Sequence, residues 1–249
     1  MRSKPIMVLI GLVVTATLLF SGGTAVARAN PPVLTGENGD SGSVGAQVVL
    51  YDQLTLGQTN GWVSQNFETA LNSADNQSAD DFTIPAGTFF WSVNTVEVDG
   101  FYLGGSGFQA ASVNVFFYNT AGALPGTALY AASFVPSGLP SGDFVVTLNP
   151  PAGLLAGKTY WVSVQANLDS GGGSPARQWY WGLRGPQAGN AATWINQGGG
   201  FIPSTPCTNW GPLATCGGAD PGATTDMQFR LSGSQINIAA TVYLPIVSR

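Results

Sequence analysis

The sequence contains no histidine, and only 8% of its 249 residues are charged. Without histidine there is no Ser-His-Asp or Cys-His nucleophile, no histidine-ligated zinc or iron, and no imidazole acid-base step. A carboxylate pair or a lysine would remain for an enzyme, but lysine is scarce too. Beyond residue 29 the only lysine is Lys158, in LLAGKTYW, where a turn enters a strand. In that region five cations face thirteen acids, a formal charge of −8. A basic footprint for nucleic acid is therefore missing. Cysteine is limited to Cys207 and Cys216, without the C-x-x-C spacing or histidine partners of a redox or zinc pair.

The N-terminus, MRSKPIMVLIGLVVTATLLFSGGTAVARAN, places Arg2 and Lys4 before an apolar run to Phe20 and ends it in Ala27-Arg28-Ala29. This is the pattern of a secretory signal over 1–29 with an A-x-A cleavage site before Asn30. The alternative is an uncleaved membrane anchor, for which the run is short against the roughly 20 apolar residues a span needs. The small-residue site favours cleavage, a secreted or cell-surface location and no membrane span afterwards. In an exported chain a disulfide persists, so the even pair Cys207 and Cys216 is expected to form one.

With 34 Gly, 16 Pro and no convincing amphipathic helix, the remainder reads as short alternating strands between turns, an antiparallel β-sandwich. Residues 30–45 form a polar Gly/Pro-rich leader, 46–233 the sandwich domain, and 234–249 a tail or an edge strand. Strands are expected at 47–51, 81–84, 93–103, 112–118, 128–135, 143–148, 159–166, 178–184 and 226–231, with turns at AGALPGT, PSGLPSGD and NPPAGLLAGK. Residues 196–225 are too long for an ordinary connection, and the disulfide would pin them. Glycine runs near Gly104 and Gly171 lack the lysine and following helix of a phosphate cradle.

The series SADDFTIPAG, SVNVFFYNTAGALPGT, GKTYWVSVQAN and DMQFRLSG resembles a recurrent, jelly-roll-like β-sandwich module of exported bacterial proteins. The resemblance spans roughly residues 47–233 and implies a sandwich fold, with no catalytic or binding residues to carry over. The closing VYLPIV is similar to tails of secreted proteins from filamentous phototroph-like bacteria, which implies surface attachment; an apolar edge strand reads the same way.

Alternation along a strand separates two faces. It turns Val113, Val115 and Phe117 inward and Asn114, Phe116 and Tyr118 outward, then Tyr160, Val162, Val164 and Ala166 inward and Trp161, Ser163 and Gln165 outward. In ARQWYWGLRG it turns Trp179, Trp181 and Leu183 to the core and leaves Gln178, Tyr180 and Arg184 on the other face. Aromatic rings for the apolar side of a sugar, together with amide and guanidinium groups for its hydroxyls, make Asn114, Tyr118, Trp161, Gln165, Gln178, Tyr180 and Arg184 the candidate ligand-binding face, provided their strands share a sheet and no cover lies over them. Trp194 and Trp210 read either as further rings or as anchors of the long loop.

Two acidic groupings suggest other chemistry. Glu97 and Asp99 sit two apart in a strand, about 6–7 Å if they share a face, near the spacing of an inverting glycosidase; alternation with Val96 and Val98 also fits solvent-facing positions. Asp80, Asp81 and Asp226, with Asp75 nearby, open an early and a late strand and would meet around a structural calcium ion, which takes six to eight oxygens; turn and strand-end aspartates fit the same residues. The expectation is a non-enzymatic exported module that binds an extracellular glycan or other surface polymer. The alternatives are a structural envelope component packing against partner proteins and a carboxylate glycosidase on Glu97 and Asp99.

Overall fold

We describe a computed structural model that covers residues 47–54, 60–104, 107–172, 175–204, 207–217 and 226–238, all within the compact unit Val44–Arg249. The expected export signal, the leader over 30–45 and the VYLPIV run lie outside these residues. The chain forms β1 (Val48–Asp52), β2 (Gly61–Val63), β3 (Gln65–Asn66), β4 (Gln77–Thr83), β5 (Phe89–Val98), β6 (Gly100–Leu103), β7 (Ser112–Ala121), β8 (Leu124–Phe134), β9 (Phe144–Leu155), β10 (Thr159–Asn167), β11 (Gln178–Arg184), β12 (Thr193–Ile195), β13 (Gly211–Pro212), β14 (Asp226–Met227) and β15 (Phe229–Asn237). Helix is limited, among the described residues, to a 3-10 segment over Thr69–Ala74 and one α-turn, Leu213–Cys216.

Two larger sheets form the sandwich. The smaller has the order β1-β15-β5-β9; the larger runs β13-β12-β4-β10-β7-β8, with β3 paired alongside β10. Pairing is antiparallel except for β3 with β10. A third sheet groups β14, β11, β2 and β6 around β11. Phe82, Val115, Phe117, Val162 and Val164 from the larger sheet and Val96, Val146, Phe229 and Leu231 from the smaller meet in one buried core. The Phe82 ring contacts Trp91, Phe117, Tyr160 and Phe229.

Each run expected to be a strand contains one, and the departures are local. The run 93–103 divides at Asp99 into β5 and β6. NPPAGLL, read as a turn, continues β9, because β9 is an edge strand. There proline's missing N–H removes no ladder bond, and the register shift opposite Val93 and Thr95 absorbs the extra residues. Residues 234–237, read as the start of a tail or an edge strand, complete β15 against β5. The long segment after Asn196 is partly ordered by pairing: β13 zips onto β12, and Cys207 is bonded to Cys216.

The third sheet adds its tryptophans to the same core. Trp179 and Trp181 have no exposed surface. Trp179 stacks on Phe144 at 4.8 Å and donates its indole N–H to the Gly142 carbonyl at 2.9 Å. Trp181 packs edge-on against Phe229 and donates to the Gln228 carbonyl at 2.6 Å. Gly100 is required beside them, because a Cβ there would lie 2.7 Å from the Trp179 ring.

Two measurements check this packing. Truncating Trp181 to alanine is expected to lower unfolding stability by about 3–5 kcal/mol in a denaturant titration, with a much smaller loss for Tyr180→Ala on the opposite, half-exposed side. Replacing Cys207 and Cys216 by serine is expected to cost about 2–3 kcal/mol through the freed loop entropy. An unchanged midpoint would show that β13 holds the segment without the bond.

Candidate functional site

Strands β10 and β7 are neighbours, with Trp161 opposite Tyr118 and Gln165 opposite Asn114. Four of the seven predicted residues therefore share one face of the larger sheet, the side turned away from the core that Tyr160, Val162 and Val164 enter.

That face is partly covered. Trp161 has no exposed surface and Tyr118 retains 8%; with Ala79 they form a small second cluster against which Phe116 and Trp210 pack. The cover comes from elements that strand alternation does not reveal. Strand β12 extends the sheet beyond β4, with Thr193 opposite Ala79, and the ring that lies over the face is Trp210, within the disulfide loop, which meets Tyr118 edge-on at 5.7 Å. The Trp161 indole N–H lies 3.3 Å from the Thr120 hydroxyl. Trp161 is thus a floor for the face and cannot stack on a ligand directly. The ring left half-exposed is Phe116, stacked on Tyr118 at 5.9 Å, with Trp210 half-exposed at the margin.

Beside the rings runs a row of amides. The Asn114 amide donates to Gln165 Oε1 and to Asn167 Oδ1, both at 3.0 Å. Asn167 donates to the Ser112 hydroxyl at 2.8 Å and accepts from Asn66 at 2.9 Å. Gln165 donates to the Asn76 carbonyl at 2.8 Å, and the Tyr118 hydroxyl donates to Gln77 at 2.8 Å. Cross-bonding of this kind fixes each amide's orientation; both donors of Asn114 and Asn167 are used within the row, which leaves an acceptor position on Asn114 and one donor and one acceptor position on Gln165. Next to the row, Asp75, Gln77, Gln165, Ile195 and Gln197 line a dimple of about 30 Å³, above the roughly 10–15 Å³ that admits a water. Burial raises the Asp75 carboxyl above its ordinary value, against the Phe67 N–H that favours the charged form. Phe116 was readable as outward by alternation; Asn167 and Gln77 lie beyond the strand bounds expected, Asp75 was read only as a neighbour of the acidic grouping, and Gln197 carried no sequence signal.

The other three predicted residues are elsewhere. Gln178, Tyr180 and Arg184 lie on β11, which pairs with β2, β6 and β14, so Tyr180 does not face Trp161 across a sheet. Its ring stacks on Phe101 at 5.6 Å and its hydroxyl donates to Gln178 at 2.6 Å. The two acids Glu97 and Asp99 are also held apart in role. Arg230 bridges Glu97 at 3.3 Å and Asp52 at 3.1 Å on the outer surface of the smaller sheet, while Asp99 is buried and accepts from Gln228 at 3.1 Å. The chain turns at Asp99 between β5 and β6, which breaks the alternation that would have paired them.

Asp80, Asp81 and Asp226 are buried and act on one another electrostatically. Both oxygens of Asp80 are engaged: Oδ2 accepts from Gln53 at 2.6 Å and the Met227 N–H at 2.7 Å, Oδ1 from the Asp81 N–H at 2.9 Å. Asn190 donates to Asp81 through its backbone at 2.9 Å and its amide at 2.6 Å, and the Ala188 N–H donates to Asp226 at 2.5 Å. Only Asp226 Oδ1 has no hydrogen-bond partner. One open oxygen does not fit calcium, which takes six to eight, and among the described residues no three ligating side chains converge on an ion position. Nitrogen donors of the 188–190 loop and of Gln53 and Met227 hold these acids instead. Burial raises Asp226 to about 6, against the lowering effect of the Ala188 N–H and Arg184. Burial and then the Asp226 charge push Asp80 well above the carboxylate range, and burial followed by the charges of the same acids carries the Tyr51 phenol to about 12.

No protein family matches the chain, and no curated protein matches it. Among solved structures, the chain is similar to the cysteine protease and lectin-like domains of a surface layer associated protein of Clostridium difficile, with a TM-score of 0.40 and 12% identity over 66% of this chain and 32% of that one. The chain therefore spans about a third of that chain's length. Among the described residues no helix is long and apolar enough to cross a membrane.

The buried acids predict a pH dependence whose sign is opposite to ordinary acid denaturation. Folded Asp226 keeps its proton to about pH 6, whereas an unperturbed carboxyl releases it near 3.8. Between those values the folded state binds more protons than the unfolded, so stability is highest below the window and falls as pH rises through it. The melting temperature is expected to be higher at pH 5 than at pH 7.5. Asp226→Asn, which keeps an acceptor for Ala188, is expected to raise the pH 7.5 value and shrink the difference. A melting temperature that falls on acidification to pH 5 would exclude a shared proton in this cluster.

Proposed function

We propose that this protein is an exported, non-enzymatic β-sandwich module that binds carbohydrate on the outer face of its larger sheet. The observation that carries the reading is the bonded row Asn114–Gln165–Asn167 beside the half-exposed Phe116 ring, which is stacked on Tyr118. A pyranose has one face of C–H groups and a rim of hydroxyls that each donate and accept. An aromatic plate beside fixed amides complements both at low cost in side-chain freedom, since the amides are already oriented. Histidine is absent and Glu97 and Asp99 have separate partners, which supports binding without turnover. The disulfide supports an oxidising, extracellular setting.

Trp161→Ala is a poor test, because removing a fully buried ring would perturb the fold. Phe116→Ala combined with Asn114→Ala changes only half-buried positions. Against a panel of polysaccharides the double variant is expected to lose at least about tenfold in affinity, about 1.4 kcal/mol, with an unchanged circular dichroism spectrum. Glycan binding that survives the double change would place the site elsewhere.

The cover over Trp161 and Tyr118 favours a second reading, in which the module is structural and its half-exposed rings meet another envelope protein. Oligomers in light scattering, together with no affinity across the glycan panel, would select it.

A further inference from the structure

A cleft of about 340 Å³ lies at the end of the amide row, lined by Phe108, Gln109, Asn167, Leu168, Asp169 and Arg177. Its size lies within the roughly 300–1,000 Å³ of small-ligand sites, and Asn167 belongs both to its wall and to the row.

The cleft holds an exposed guanidinium seated over an aromatic ring. The Arg177 guanidinium carbon sits 5.3 Å from the centre of the Phe108 ring. That ring meets Tyr102 edge-on at 5.6 Å, and the Tyr102 hydroxyl is itself held between the Leu139 carbonyl at 2.8 Å and the Ala110 N–H at 3.0 Å. On another side Gly171 leaves room, since a Cβ there would come within 2.6 Å of Arg177 Nη1. The Arg177 backbone carbonyl accepts from the buried Gln65 amide at 3.1 Å. Yet among the described residues Arg177 has no ion pair and its side chain donates no hydrogen bond, and the exposed side chains of Asp169 and Gln109 are equally uncommitted.

A guanidinium stacked on a ring keeps its N–H donors in the plane, where they match two coplanar acceptor oxygens. That is the geometry of a carboxylate. Asp169 in the same cleft sets a second condition: it repels a bare polyanion and accepts from hydroxyl donors. A ligand that satisfies both carries a carboxylate and neighbouring hydroxyls on one small ring.

We propose that this cleft is an acid-sugar subsite, in which Arg177 pairs with the carboxylate of a uronic acid residue and Asp169 accepts from its hydroxyls. The choice of a sugar over another hydroxy acid rests on the carbohydrate reading of the adjoining amide row. The ligand class is thereby an acidic polysaccharide running from the Phe116 face into the cleft.

Calorimetric titration of the exported chain with a galacturonate oligomer, its methyl ester, a neutral glucan, acetate and inorganic phosphate tests this. The acid oligomer is expected to bind at least about tenfold more tightly than the ester, as a charge-assisted bidentate contact implies. Arg177→Gln should reduce it to the ester's level, and Arg177→Lys, which keeps the charge and loses the fork, should fall between. Asp169→Asn should weaken the ester, and weaken the acid less because it also removes a like charge, while acetate and phosphate give no heat. Equal affinity for acid and ester, an acid affinity untouched by Arg177→Gln, or competition by phosphate would overturn the proposal. If the glucan binds and the acid gains nothing, the subsite fails and the amide-face reading stands. If Arg177-dependent acid binding persists with Phe116→Ala and Asn114→Ala, the subsite stands and the amide face is not the platform. If no saccharide binds, both fall.

Discussion

Strand β10 is buried on both sides, and that constraint organises the rest of the fold. On its inner side Tyr160, Val162, Val164 and Ala166 enter the sandwich core. On its outer side Trp161, Ser163 and Gln165 must be shielded or hydrogen-bonded, because unpaired polar atoms and exposed rings are both unfavourable. β7 runs along one edge of β10 and β4 and β3 along the other; Gln165 is hydrogen-bonded, whereas the Ser163 hydroxyl is buried with no partner among the described residues. The cover built from Phe116 and Trp210 and the amide row of Asn114, Gln165 and Asn167 are two answers to the same requirement. Where apolar atoms cover the strand, the face is closed. Where amides satisfy it, Asn114 and Asn167 keep part of their surface in solvent.

The buried acids show the same requirement met with charge. Asp80 lies on the core side of β4 and Asp81 on the other, yet backbone and amide N–H donors reach both. They tie the 188–190 loop and the start of β14 to the middle of the larger sheet. In a chain without histidine, Asp226 of this cluster is a group that changes protonation near pH 6.

Much of this was legible in the sequence because alternation is a local property. The division of ARQWYWGLRG into buried Trp179 and Trp181 and a half-exposed Tyr180 follows from period two alone, as does the pairing of outward Asn114 with outward Gln165 once β7 and β10 are neighbours. What alternation cannot reveal is sheet membership and cover. Tyr180 and Trp161 carry the same outward signature and end in different sheets. Trp161 is outward and still has no exposed surface, because Trp210, some fifty residues later, folds over its neighbour Tyr118. Glu97 and Asp99 failed as a pair for a third reason: a strand ended between them. Arg177 gave no signal at all, since its meaning comes from Phe108 and Gly171, which only the fold brings beside it.

The order of strands in the smaller sheet has a consequence in time. β15, nearly the last segment described, lies between β1 and β5 and joins the beginning of the domain to its middle. Until β15 arrives, β1 has no partner in this sheet and one edge of β5 stays open, so the sandwich core is missing a wall. Closing such long-range pairs comes late, after the entropy of a loop nearly as long as the domain has been overcome. A chain emerging N-terminus first would therefore complete this wall of the core only after β15 had been made.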